Sequence, residues 1–188
     1  MMADNPRVAS YEIRDVAHGL WIWRVAHPDW RPGLDWDELV TSTCVESRGE
    51  VAVLDPLAPP DSATDVWARF DDRPPTLAVV LKPDHVRDVD LFADRYRARA
   101  FGPPLFWRTN IPKTELAPIE PGSELPGGLL ALYDGRGRME TPLWLPEQRA
   151  LVFADGLTAP AGELLVWATA RHETRVPIWL KPLGTSPL

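Results

Sequence analysis

The chain opens on alternating apolar and polar residues. YEIRDVAHGLWIWRVAH is rich in aromatic and β-branched side chains and predicts two strands, near 10–16 and 19–26, turning at His18-Gly19. A Pro/Gly/Asp-rich loop, PDWRPGLDWDE, follows. LVTSTCVES and EVAVLDP predict a hairpin whose turn is Arg48-Gly49. In PLAPPDSATDVWARFDD, Asp61 or Ser62 would cap a helix carrying Val66, Trp67 and Phe70 on one stripe, and Asp65 completes a capping-box pattern. TLAVVLK is a continuous apolar run, as in a strand covered on both faces. DHVRDVDLFADRYRA predicts a second helix, with Val86, Val89, Phe92, Ala93 and Tyr96 at helical spacing.

Beyond this unit the pattern returns to short strands. RARAFGP predicts one, residues 103–121 form a loop, and GGLLALYDG predicts another strand. TPLWLPEQRALVFADG predicts a hairpin turning through Pro146-Glu147-Gln148-Arg149, where proline presets the backbone angle. The last thirty residues predict a helix in GELLVWATARH and a strand in PIWLKPL. Strand–helix–strand–helix order beside β-hairpins indicates a layered α/β sheet with helices on its faces.

Composition narrows the picture. A chain of 188 residues is expected to form a single domain over 1–188, large enough to fold without a disulfide or a structural metal. Net charge is −7, which disfavours a nucleic-acid partner. There is no apolar run of spanning length, and MMADNPRVASYEIRD carries no apolar leader, so no membrane role is expected. The single cysteine, Cys44, excludes an internal disulfide and fits a cytoplasmic location; in an alternating strand it is expected to be a buried structural thiol. Nine tryptophans are expected mostly in the core. His18, His27, Arg108 and Lys113 are expected at turns or on solvated loops, and no P-loop, G-x-G-x-x-G, G-x-S-x-G or Cys-x-x-Cys pattern is present.

Chemistry concentrates at two kinds of position. Asp55 ends an apolar strand, the edge at which α/β sheets bind ligands, although Asp-Pro is also a common turn starter. The apolar strand before LKPDHVRDVD runs straight into a helix. The block AVVLKPDHVRDVDLFADRYRARAFGP, continued by PGSELPGGLLALYDG and METPLWLPEQRALVFADGL, resembles the metallo-β-lactamase superfamily over roughly residues 10–158. The resemblance implies an αββα layered sandwich, trimmed at the C-terminus, where the closing Gly-His segment has no match; His172 lies in a helical context.

In that superfamily an H-x-H-x-D-H motif gathers ligands onto one metal centre. Aligning His85 with the second histidine puts Pro83 on the first, Arg87 on the aspartate and Asp88 on the third histidine. Glu140, in Glu140-Thr141-Pro142, stands where His-Thr-Pro is expected, and Asp155 matches the metal-bridging aspartate. The resemblance therefore leaves His85, Asp88, Glu140 and Asp155 as candidate ligands, with Arg87 expected to compete with a metal by pairing with Asp88 or Asp155. It implies a member with an eroded metal site and no cofactor, non-catalytic or binding a small ligand. The alternative is a metallo-hydrolase holding one divalent ion (Zn, Mn or Fe) and cleaving a small ester, thioester, amide or phosphoester, with Asp155 as the catalytic residue that bridges or orients water. A third reading is a structural homodimer presenting a Trp-rich apolar patch.

Overall fold

The computed structural model describes residues 10–34, 36–133, 139–158 and 165–166. Seven strands form the main sheet in simple sequential order: β1 (Tyr11–Ala17), β2 (Leu20–Ala26), β3 (Leu39–Ser47), β4 (Glu50–Leu54), β5 (Leu77–Val79), β6 (Arg99–Gly102) and β7 (Ala117–Pro118). The first four are antiparallel neighbours joined in sequence, and from β4 onward the pairing is parallel. Parallel neighbours need crossovers, and two helices supply the first two: α1 (Thr64–Asp72) links β4 to β5, and α2 (Val89–Tyr96) links β5 to β6, while the segment 103–116 joins β6 to β7 without a helix. A second, antiparallel sheet contains β8 (Glu124–Leu125), β9 (Leu129–Ala131), β10 (Leu143–Leu145) and β11 (Ala150–Val152). Two short strands, β12 (Leu157–Thr158) and β13 (Leu165–Val166), pair with each other.

Alternation along each central strand sorts side chains into two cores. Val51 and Val53 of β4, Ala78 of β5 and the adjoining Val80 face the helices, joined by Trp21, Trp23, Phe70 and Phe92. Ala52, Leu54, Leu77, Val79 and Leu81 face the second sheet and pack on Leu125, Leu129, Ala131, Leu143 and Leu145. The order is thus helix, sheet, sheet, which agrees with the layered α/β fold expected; both helices among the described residues lie in the first of these layers. Trp23 is fully buried, and its indole N–H donates to the Leu57 carbonyl at 2.7 Å, which ties β2 to the loop after β4. No helix among the described residues is long and apolar enough to cross a membrane.

Several local expectations change. The hairpin turn at Arg48-Gly49 is present, and both residues take positive φ (48° and 81°), the backbone a two-residue turn requires. Neither Asp61 nor Ser62 caps α1; Ala63 takes the cap position, where its methyl side chain offers no acceptor, and a backbone turn from the Pro60 carbonyl to the Ala63 N–H leads into the helix. The helix expected over 84–98 begins only at Val89. Pro83 disfavours helix before it, and Arg87 has φ +44°, so residues 82–88 form consecutive turns. At the C-terminus, Leu165–Val166 form a strand against β12 where a helix is expected, since β12 offers them an antiparallel ladder. The rest of that segment, His172 and the PIWLKPL strand lie outside the described residues.

Candidate functional site

The parallel strands β4 and β5 end side by side, and their last residues build the site. Asp55 follows β4 with φ +46°, a conformation that aspartate tolerates better than most residues. Its N–H donates to the Val79 carbonyl, and its Oδ1 accepts the Leu81 N–H at 2.7 Å. The carboxylate is thereby fixed between the two strand ends. The turns after β5 present Lys82, Asp84, His85 and Arg87. The second sheet reaches the same place, because Thr141 N–H donates to the Leu81 carbonyl at 2.8 Å and so brings Glu140 alongside. Glu140 Oε2 accepts the backbone N–H groups of Asp155 and Gly156 at 2.9 and 2.8 Å, which sets the position of Asp155.

These groups form one ion network. His85 Nδ1 lies 2.9 Å from Asp55 Oδ2, and its Nε2 lies 3.4 Å from Asp155 Oδ1. Lys82 Nζ donates to Asp155 Oδ2 at 2.6 Å and to Asp84 Oδ2 at 2.7 Å. The Lys82 and His85 side chains are each only 13% exposed, so these pairs are sheltered from the solvent that weakens surface ion pairs. Arg87, also deeply placed, donates to the carbonyls of Thr41 (2.8 Å) and Asp55 (2.7 Å). Those two bonds anchor a residue whose own φ is unfavourable.

The network shifts the proton affinity of its members. Burial works against charge on His85, but the Asp55 carboxylate and the bonds to Asp155 and Asp55 outweigh it and raise the pKa to about 9. Burial would raise Asp155, yet its bond to His85, the His85 charge and Lys82 hold it well below the usual carboxylate range. Burial likewise opposes charge on Lys82, but Asp155 and Asp84 overcome it and its pKa is raised. Glu140 departs from the other carboxylate: burial raises it, its two backbone donors only partly offset this, and Asp155 and Asp55 add repulsion. Glu140 Oε1 is buried without a hydrogen-bond partner among the described residues.

Of the four candidate ligands, His85 and Asp155 come together. Asp88 serves the loop instead: its Oδ2 accepts the Ala58 N–H at 2.7 Å, which clamps the chain after β4 onto the start of α2. Glu140 is committed through Oε2 to the backbone of Asp155 and Gly156. Among the described residues, the set whose ligand-type atoms all lie within 4.8 Å of one another is Asp84, His85 and Asp155. Asp84 and Lys82 are absent from the sequence-based candidates because neither occupies a motif position. Asp55 was legible as a carboxylate at a strand's C-terminal edge, but not as the partner of His85. Arg87 binds backbone carbonyls; the expected pairing with Asp88 or Asp155 is replaced because Thr41 and Asp55 present those carbonyls on its own side. Cys44 is buried and its thiol is pushed up, mainly by burial, as expected of a structural residue.

No protein-family model and no curated protein matches the sequence. Solved structures do match. The DIM-1 metallo-β-lactamase exposed to ceftazidime aligns with a TM-score of 0.60 at 17% identity, over 84% of this chain and 75% of that one. FIM-1 from Pseudomonas aeruginosa, in its mono-zinc form, aligns at 0.54 and 14%, over 76% and 68%. A metallo-β-lactamase family protein from Thermus thermophilus aligns at 0.54 and 17%, over 77% and 62%. At these identities the likeness is one of fold.

Proposed function

Because the chain has the metallo-β-lactamase fold, we propose that it is a non-catalytic, ligand-binding member of that superfamily whose metal site has eroded. The observation that carries this reading is the Lys82 ammonium, held 2.6 and 2.7 Å from two of the three clustered donors. A divalent ion at the same donors would sit against a fixed like charge, so with Lys82 seated there the set does not fit a resident metal. Asp55, Asp84 and Asp155 are balanced by His85, Lys82 and Arg87, and such a self-neutralised cleft would accept a small polar ligand by hydrogen bonding. Metal analysis of the full-length protein after metal-supplemented expression, with a zinc thermal-shift titration, tests the reading. The expected result is no stoichiometric metal and a flat titration, because only a ligand that binds the folded state raises the melting temperature. One tight equivalent of zinc, manganese or iron would refute it.

A second reading draws on the same Asp84–His85–Asp155 grouping. It is a metallo-hydrolase acting on a small ester, thioester, amide or phosphoester, with Asp155 essential. Here Asp155→Asn abolishes both metal binding and hydrolysis while the fold persists. A hydrolase activity that survives Asp155→Asn would eliminate this reading.

A further inference from the structure

The cluster at the strand ends keeps one feature that an ordinary salt-bridge network does not need. His85 gives Nδ1 to the buried Asp55 carboxylate and turns Nε2 toward Asp155. An imidazole held by a carboxylate on one nitrogen, with the other facing further donors, is oriented as metal-ligating histidines are. Asp84 and Asp155 supply two oxygen donors, each within 4.8 Å of the imidazole donor and of one another. What lies against both carboxylates is the ammonium of Lys82. Around it, the carboxylates of Asp55, Asp84 and Asp155 are matched by Lys82, His85 and Arg87, and the Oε1 of Glu140 is buried without a hydrogen-bond partner among the described residues, so losing the Lys82 charge leaves the cleft with an excess of negative charge.

We propose that Lys82 is a built-in plug. Its ammonium fills a latent divalent-cation site made by Asp84, His85 Nε2 and Asp155, with Asp55 as the orienting carboxylate. Loss of that one charge turns the cleft into a metal site. One imidazole with two carboxylates suits a borderline ion such as zinc or cobalt. The plug rests on the eroded-site reading above, and it identifies which residue keeps the site closed. The ammonium and a dication compete for the same two carboxylates. Removing the ammonium therefore releases both donors and ends its repulsion, and a bound dication then displaces the Nε2 proton of His85 to solvent.

The test compares chelator-treated full-length protein with Lys82→Met, a side chain of similar length without charge. Zinc binding is read by calorimetry, and cobalt binding by its visible absorption, which reports the ligand field directly. The expected result is one equivalent in the variant, bound about a hundredfold or more tighter than in the parent protein. Adding Asp155→Asn to Lys82→Met abolishes the gain, and adding Asp55→Asn weakens it by about 10–100-fold. A tight equivalent in the parent protein overturns both the eroded-site reading and the plug. A folded Lys82→Met protein that gains no affinity overturns the plug alone. So does a gain that survives Asp155→Asn. If Lys82→Met does not melt cooperatively, Lys82→Gln, neutral but still able to hydrogen-bond, is judged by the same criteria.

Discussion

Replacing Asp55 by asparagine isolates the charge at the centre of the network. Asparagine tolerates the positive φ found at this position, so the backbone is not newly strained. Its carbonyl oxygen can still accept the Leu81 N–H that Oδ1 accepts at 2.7 Å. What disappears is the carboxylate 2.9 Å from His85 Nδ1. Each tenfold change in proton affinity is worth about 1.4 kcal/mol, so raising His85 from 6.5 to about 9 stabilises the folded, protonated state by about 3 kcal/mol. Burial and the Arg87 charge oppose this shift, and the Asp55 carboxylate is its leading favourable cause, so the substitution should remove a substantial part of that stabilisation. The sign follows from the direction of the shift. A histidine whose folded pKa is raised contributes fully below its ordinary value of 6.5 and loses that contribution as pH rises through about 9. Urea denaturation in chelating buffer should therefore show the largest gap between parent and Asp55→Asn proteins near pH ~6, and a much smaller gap near pH ~10. A gap that stays constant across this range would mean that His85 is not held protonated by Asp55, and the electrostatic description of the site would fail.

Two further changes probe the scaffold and the buried carboxylate. Trp23→Phe removes the indole donor from the Leu57 carbonyl and part of a ring packed between Trp21 and Phe70; it should cost about 2–4 kcal/mol by equilibrium denaturation, and a loss below about 1 kcal/mol would refute its role as a tie between β2 and the site-bearing loop. Glu140→Gln should have the opposite pH signature to an ordinary salt-bridged acid. Because the folded pKa of Glu140 is raised, its carboxyl favours folding below its ordinary value of 4.5, and that contribution is lost as pH rises through the folded value. Relative to the parent protein, Glu140→Gln should thus be more stable near pH ~8 than near pH ~4.5, and a stability difference independent of pH in a denaturation series would contradict the burial of a charge-prone Oε1.

Much of the scaffold was legible in the sequence because its causes are local. Alternation in YEIRDVA and LWIWRVA sets two strands whatever lies elsewhere, and Arg48-Gly49 sets a hairpin turn because glycine accepts positive φ. Continuous apolar residues in TLAVVL mark a strand covered on both faces, and that strand divides its side chains between the two cores. Where two local signals conflicted, packing and backbone geometry decided. Residues 84–88 carry helical spacing, yet Pro83 and the backbone of Arg87 hold them as turns, and the helix waits for Val89.

The site divides along the same line. Sequence determined that His85 follows the central strand and that Asp155 follows a late hairpin, since both depend on where strands end. Only the tertiary structure decided what they meet. His85 pairs with Asp55, thirty positions earlier, and Asp155 takes the ammonium of Lys82, seventy-three positions earlier. Spacing along a chain reports which side chains share a turn, whereas the ends of neighbouring strands bring together residues from distant segments. Asp88 shows the converse: it stands at a ligand position of the superfamily motif, but the group it meets is the half-buried Ala58 N–H, and a backbone donor shielded from water claims whatever acceptor geometry provides.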